Sequence, residues 1–128
     1  MCYFLTVGIK KYGTSSLLSK LPSKIQSVPD TNTAFFKYIN SGYEMFHLTN
    51  GMCSCELYQP HRGVNHDLKK WVKRTVEKLK DIYIFIHWYS QPIDYETISI
   101  QGKKLYYLDE FLLLSVNIPE NTLIHIIK

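Results

Sequence analysis

The sequence predicts an α+β fold, a ferredoxin-like split βαβ sandwich with the element order β-α-β-β-α-β and a C-terminal extension of short strands and a short helix. Two patterns carry this prediction. Residues 65–82 place apolar side chains at helical spacing, whereas residues 2–9 alternate with the period of two that is typical of a strand. The chain has 128 residues and 45% hydrophobic content, enough for one core and too little for two full domains. We therefore expect a single α+β domain over residues 1–128.

The first half of the chain is expected to supply three strands and one short helix. Strand one covers residues 2–9, with every second side chain in the core. A short helix follows over residues 14–25, where hydroxyl side chains offer N-cap chemistry and Pro22 shortens or interrupts the helix. Residues 34–39 and 43–49 flank a Gly-containing loop, so we expect them to form a hairpin of strands two and three.

The second half is expected to combine a clear helix and strand with a less regular tail. Residues 52–63 predict a long loop, and Asn65 is the expected N-cap of an amphipathic helix that runs to residue 82. The apolar, β-favouring run 83–89 predicts a central strand. In the tail we expect a hairpin over residues 97–100 and 103–107, a helical turn or two over residues 108–115, and a final strand over residues 123–127.

This topology predicts that the three cysteines and one histidine converge at one end of the sheet. In a split βαβ fold, strand one lies between strands three and four and runs antiparallel to both, so its start adjoins the ends of the other two. Cys2 opens strand one, Cys53 and Cys55 follow strand three, and His87 lies near the end of strand four. Three thiolates and an imidazole are a ligand set that Zn²⁺ prefers. Other candidates for the fourth ligand are His47, His61 and His66.

Two other interpretations of the cysteines remain open. A thiolate beside an imidazole or a lysine is more reactive at neutral pH, so Cys2 or Cys53 could be the nucleophile of a small cysteine-dependent enzyme. Alternatively, the cysteines are small buried hydrophobic residues, as most intracellular cysteines are. Three cysteines cannot all pair within one chain, and Cys53 and Cys55 are too close for an easy mutual bridge. A reducing, cytoplasmic environment is therefore expected.

Two surfaces are candidates for binding nucleic acid. The predicted helix carries a basic run that could contact phosphates, but acidic residues dilute it, so a solvated helix face is the favoured explanation. The open face of the predicted sheet could stack RNA bases on aromatic side chains, although a buried aromatic core is favoured there too. The basic residues are Lys69, Lys70, Lys73 and Arg74, and the residues that share the outer face are Phe4, Phe85, His87 and Tyr89.

Three short segments resemble those of a family of small microbial and phage proteins that has no assigned function. They are the opening Met1-Cys2-Tyr3-Phe4, the Cys53-x-Cys55 pair and His87-Trp88-Tyr89-Ser90. Where the family usually has Gly after its second cysteine, this chain has Glu56. The resemblance implies that the three segments occur together for a reason, and it implies no activity.

The sequence thus predicts a small intracellular binding or regulatory protein with a cysteine-centred site that holds structural zinc or reactive thiols. Its expected partner is another protein, with nucleic acid as the alternative. No apolar run approaches a bilayer span, so no membrane partner is expected. There is no Gly-rich phosphate loop or Gly-x-Ser-x-Gly motif, and binding is favoured over turnover.

Overall fold

The computed structural model of the protein describes residues 2–12, 17, 20–21, 24–28, 33–49, 54–91, 95–96, 98–114 and 118–128. These residues form an α+β domain, as predicted, with a large sheet and two α-helices. The strands are β1 (Cys2–Lys10), β2 (Lys24–Ser27), β3 (Tyr43–Thr49), β4 (Tyr58–Gln59), β5 (Gly63–Val64), β6 (Asp81–Tyr89), β7 (Gly102–Tyr107) and β8 (Thr122–Ile127). The helices are α1 (His66–Leu79) and α2 (Leu108–Leu113), and a 3-10 helix covers Thr33–Lys37.

The main sheet has six strands in the order β2-β3-β1-β6-β8-β7. Strand β1 lies between β3 and β6 and is antiparallel to both, with Leu5 opposite Leu48 on one side and Ile86 on the other. The predicted position of strand one is therefore confirmed. The C-terminal strands extend the sheet beyond β6, and β7 pairs with β8 in parallel and forms one edge.

The predicted strand over residues 34–39 is wrong. Residues Thr33–Lys37 form the 3-10 helix instead, because Phe35 is buried against the sheet rather than held in a strand ladder. The neighbour of β3 is the short edge strand β2, which includes Ile25, so the predicted first helix does not extend to this residue. Of that predicted helix, Leu17 is helical, and most of the remainder lies outside the described residues.

The predicted hairpin in the tail is also wrong. Residues 103–107 are in β7, but β7 pairs with β8, and residues 98–100 belong to no strand. Ile98 is buried against the sheet, and this burial replaces the expected pairing. The helical prediction for residues 108–115 and the strand predicted over 123–127 are confirmed by α2 and β8.

The two faces of the sheet have different surroundings. The first face packs against α1, whose Trp71 is buried and donates a hydrogen bond from its indole nitrogen to the carbonyl of Leu17 at 3.0 Å. The opposite side of the sheet, called the second face below, carries Phe4, Phe85 and Tyr89, as predicted, and these three are buried. Among the described residues, neither helix is long and apolar enough to cross a membrane.

Candidate functional site

One end of the second face is open, and a row of side chains from three neighbouring strands lines it. Tyr83 of β6 lies opposite His125 of β8, and Leu105 of β7 lies beside His125 on the other side. Side chains of directly opposed residues project from the same face of a sheet. Leu105 is 55% exposed at this edge, whereas Phe85 one pleat further along β6 is fully buried. The buried core of the second face thus ends where this row begins.

A cavity of about 310 Å³ lies on this open end. Its lining combines two phenol rings, an imidazole, two lysines and two leucines, and it includes no carboxylate from the described residues. The ammonium group of Lys103 lies over the ring of Tyr38, 4.3 Å from its centroid. We call this feature the tyrosine–lysine cavity, and its residues are Tyr38, Tyr83, Lys103, Lys104, Leu105, Leu123 and His125.

The imidazole of His125 is fixed in the cavity wall by two contacts. Its ring stacks on that of Tyr83 with centroids 4.1 Å apart and an interplanar angle of 7°. Its Nε2 lies 2.8 Å from Oδ2 of Asp81. Because an ionised carboxylate only accepts hydrogen bonds, Nε2 carries the proton in this pair. Nδ1 is then the ring nitrogen that can accept a proton from a ligand.

Asp81 is a buried carboxylate with three partners. Besides His125, it accepts a hydrogen bond from the hydroxyl of Tyr43 and forms an ion pair with Lys10, whose Nζ lies 3.3 Å from Oδ1. Such contacts offset the cost of removing a charge from water. Burial raises the pKa of Tyr43, and its hydrogen bond to Asp81 raises the pKa further. Tyr43 therefore acts as a permanent donor that holds Asp81 in place behind His125.

The residues of the predicted zinc site are only partly described. Cys2 lies opposite Tyr89 in the β1–β6 ladder, which brings the predicted segments together, but its side chain and the whole of Cys53 lie outside the described part of the chain. His87 is half-buried on the second face, with Nδ1 2.5 Å from Oδ1 of Asn121 and Nε2 3.5 Å from Oε1 of Glu96. Both ring nitrogens of His87 thus face polar groups of the chain.

Cys55 is not brought to His87. It is half-buried near Tyr58 at a small cavity of about 130 Å³, and Tyr58 belongs to the core on the first face. His87 stacks with Phe85 on the second face, so the sheet separates the two predicted ligands. In the described ranges, no group of three His, Cys, Asp or Glu side chains is placed to hold a metal ion. Zinc binding that involves Cys2 and Cys53 stays a prediction.

The three alternative zinc ligands lie apart from one another. His47 is buried on the second face in contact with the rings of Phe4 and Tyr89, with Nδ1 2.7 Å from Oγ1 of Thr6. Burial lowers the pKa of His47 to about 4. His61 is exposed in the turn between β4 and β5, and His66 is exposed at the first position of α1. Only His47 shares a face with His87.

The basic run of α1 divides into one structural lysine and three exposed cations. The ammonium group of Lys69 donates hydrogen bonds to the carbonyls of Leu112, at 3.4 Å, and Leu114, and so it caps the C-terminal end of α2. A cavity of about 280 Å³ lies beside it, lined by His66, Lys69, Lys70, Lys73 and Leu112. Arg74 is exposed and does not line this cavity. No tyrosine, phenylalanine or tryptophan of the described residues lines it either.

Sequence reasoning selected the second face as a candidate surface but missed its open end. The predicted strand over residues 34–39 includes Tyr38, and the predicted hairpin includes Lys103 and Lys104, but neither forms. The alternation around His125 in the last strand indicates which side chains of that strand share its face of the sheet, but not which strands adjoin it. Comparison with models of protein families, with curated proteins and with solved structures gives no match. The function is therefore argued from the chemistry of the site.

Proposed function

We propose that this protein is a binding module for single-stranded nucleic acid and that the tyrosine–lysine cavity is its binding site. The observation that carries the proposal is the convergence of aromatic rings and an ammonium group at the open end of a sheet. Lys103 supplies the positive charge, and Tyr38 and Tyr83 supply rings. The next residue, Lys104, pairs with Ile124 and places its ammonium group by Tyr106 on the first face. This combination matches a ligand that is both anionic and planar.

Each part of the cavity matches a part of a nucleotide. A base that stacks on an aromatic side chain contributes about 1–3 kcal/mol to binding, and each lysine that contacts a phosphate adds a salt-dependent increment. Tyr38 is 44% exposed, so one of its faces can receive a base. Only an unpaired strand can splay out its bases in this way, which favours single strands over a duplex.

The inferred fold supports the same proposal. The strand order β2-β3-β1-β6, with each neighbouring pair antiparallel, is the order of a split βαβ domain. We infer this ferredoxin-like arrangement for residues 2–89, with β8 and β7 as an extension of the sheet. RNA-binding domains of that architecture use the sheet face opposite the helices. The tyrosine–lysine cavity lies at the open end of that face, beyond the part where Phe4, Phe85 and Tyr89 are buried.

A second candidate surface is the cavity between α1 and α2. Its cations, Lys70 and Lys73, are exposed and form no ion pair within 4 Å among the described residues. Phosphates could bind there without base stacking, which is the kind of contact that the sequence predicts for the basic residues of this helix. This surface would bind single and double strands alike because it offers charge alone.

The cysteine-centred role remains a separate prediction. A structural zinc that involves Cys2 and Cys53 would give near-stoichiometric metal in protein purified without chelator, and the metal would be lost in a Cys53→Ser variant. Reactive thiols would instead give rapid alkylation of Cys2 or Cys53 at neutral pH. Purified protein that holds no metal and has no fast-reacting thiol would contradict both the structural zinc and the reactive thiols, including the cysteine-dependent enzyme.

The binding proposal is tested by fluorescence anisotropy with a labelled 12-nucleotide single-stranded RNA, the matching DNA and the duplex. We expect the Lys103→Glu variant to weaken binding of the single strands at least tenfold. The Lys70→Glu variant has the same change in net charge, and we expect its affinity to stay within about threefold of wild type. Equal losses in the two variants, or a loss only in the second, would contradict the assignment of the site.

Stacking is tested separately from charge. Tyr38→Ala removes a ring without changing net charge, and we expect it to weaken binding of the single strand by about 1–3 kcal/mol. Tyr12→Ala is the matched control, because Tyr12 is 65% exposed and does not line the cavity. Equal affinities of the Tyr38 variant and wild type would show that charge alone accounts for binding.

A further inference from the structure

The His125–Asp81 pair gives the tyrosine–lysine cavity the groups of a general base. A general base needs a ring nitrogen that accepts a proton and a second group that fixes the tautomer and the orientation of the ring. Nε2 of His125 is committed to the carboxylate of Asp81 at 2.8 Å, which leaves Nδ1 as the accepting nitrogen. The side chain of His125 is 30% exposed, so a bound ligand can reach it.

The support behind His125 is more elaborate than a surface contact between two side chains. Asp81 is held by Tyr43 and Lys10 as well, and the ring of His125 is kept parallel to Tyr83 by stacking. A carboxylate that is oriented by several donors can in turn orient an imidazole and stabilise its protonated form, as in other acid–base sites. Lys103 lines the same cavity, and its ammonium group can stabilise negative charge on a phosphoryl group.

The lining of the cavity indicates where the nucleophile comes from. None of the described residues that line it is a serine, threonine or cysteine. A substrate that brings its own nucleophile needs only a general base and positive charge from this cavity. Single-stranded RNA has one next to each phosphate, the ribose 2′-hydroxyl, whereas DNA has none.

We propose that His125 acts as a general base that cleaves single-stranded RNA bound in the tyrosine–lysine cavity, with Asp81 as its positioning residue. Nδ1 of His125 takes the proton of a 2′-hydroxyl, and the 2′-oxygen forms a bond to the adjacent phosphorus. The bond from phosphorus to the 5′-oxygen breaks, and that oxygen takes a proton from water. His125 then returns its proton to the solvent. The products are a 2′,3′-cyclic phosphate and a 5′-hydroxyl, and no oxidant, reductant or metal ion is consumed.

This inference rests on the proposed binding of single strands, and the test separates the two. The full chain is incubated with the 12-nucleotide RNA, with the matching DNA and with that DNA carrying a single ribonucleotide. Products are resolved on a denaturing gel and identified by mass spectrometry. We expect cleavage of the RNA, cleavage of the mixed strand only after its ribonucleotide, and no cleavage of the DNA.

Variants of the pair show whether the activity belongs to this protein. We expect His125→Gln to slow cleavage at saturating RNA at least 100-fold. The factor by which the cleavage rate falls should be at least ten times the factor by which the affinity for the RNA falls. Tyr43→Phe keeps the pair but removes one donor to Asp81, and we expect a smaller loss in rate with little change in affinity. Tyr12→Ala, at an exposed position that does not line the cavity, is purified in the same way and should cleave like wild type.

Two results would overturn this inference and leave the binding proposal standing. One is wild-type protein that binds the RNA but leaves it intact. The other is an equal rate in wild type and His125→Gln, which would identify a contaminating nuclease. Failure to bind any single strand would overturn both proposals.

Discussion

At the scale of single residues, His47 makes the stability of the protein depend on pH. The side chain has no exposed surface, and burial lowers its pKa from the ordinary 6.5 to about 4. Between these two values the unfolded chain binds a proton that the folded chain does not. The free energy of unfolding is therefore expected to fall as the pH drops from 6.5 towards 4, by up to roughly 3 kcal/mol from this residue.

Urea unfolding of wild type and His47→Gln at several pH values in this window checks the prediction. The variant should lose less stability on acidification than wild type, whereas His61→Gln, at an exposed position, should behave like wild type. A nitrogen NMR signal of the His47 imidazole that titrates near pH 6.5 in the folded protein would contradict the lowered pKa. This measurement uses wild-type protein, so it does not depend on whether the variant folds.

Gly8 is the residue that makes room for the row beside the cavity. A Cβ atom at this position would lie 2.6 Å from Sδ of Met45 and 3.3 Å from Cβ of Tyr83. The methionine can move, but the Tyr83 Cβ is fixed by its strand. We expect Gly8→Ala to reduce the free energy of unfolding by about 1–3 kcal/mol, as overpacking of a core does.

The measurement for Gly8→Ala is urea unfolding, with Gly102→Ala as the control. A Cβ at Gly102 would have 4.0 Å to its nearest neighbour, Oγ1 of Thr122, which is ordinary contact. Equal stability of the two variants would show that Met45 alone absorbs the added atom.

At the scale of elements, Asn65 fixes the start of α1 and joins it to the preceding loop. Its side-chain oxygen accepts from the amide of Leu68 at 2.8 Å, and its side-chain nitrogen donates to the carbonyl of Glu56 at 3.0 Å. Loss of such a cap costs about 1 kcal/mol. We expect Asn65→Ala to lose this amount and Asn65→Asp, which keeps the acceptor, to lose less.

Thermal or urea unfolding of the two Asn65 variants gives the comparison directly. If Asn65→Asp were destabilised as much as Asn65→Ala, the donation to Glu56 rather than the cap would carry the stabilisation.

The elements differ in how far the sequence predicts them. Helix α1 and strand β6 follow from strong local patterns, since apolar spacing and a β-favouring run each point to one structure. Strand β2 is a four-residue edge strand with only Ile25 as an apolar residue, so no period marks it. The aromatic segment around Phe35 has strand-like composition, but its burial on a sheet face is decided by tertiary packing.

At the scale of the whole molecule, the candidate site could not be predicted because its parts are distant in sequence. Asp81 and His125 are 44 residues apart, and Tyr38 meets Lys103 only because β7 lies at the sheet edge near the 3-10 helix. The predicted convergence around Cys2 depended on three strand ends, which do adjoin. Their adjacency did not bring Cys55 to His87, because neighbouring segments can project side chains to opposite faces of a sheet.

The location of the positive charge also predicts the salt dependence of binding. If Lys103 contacts one phosphate, the Lys103→Glu variant should lower the slope of log affinity against log salt by about 0.7 for single strands. Anisotropy titrations at several salt concentrations measure this slope. An unchanged slope would mean that Lys103 does not contact a phosphate.

The most direct test of the binding site is a chemical-shift titration of isotope-labelled protein with the unlabelled 12-nucleotide RNA. We expect the largest changes at Tyr38, Tyr83, Lys103, Leu105 and His125, and little change at His66 and Lys70 on the opposite side of the sheet. Changes confined to α1, or no changes at any RNA concentration, would contradict the assignment of the tyrosine–lysine cavity as the nucleic-acid site.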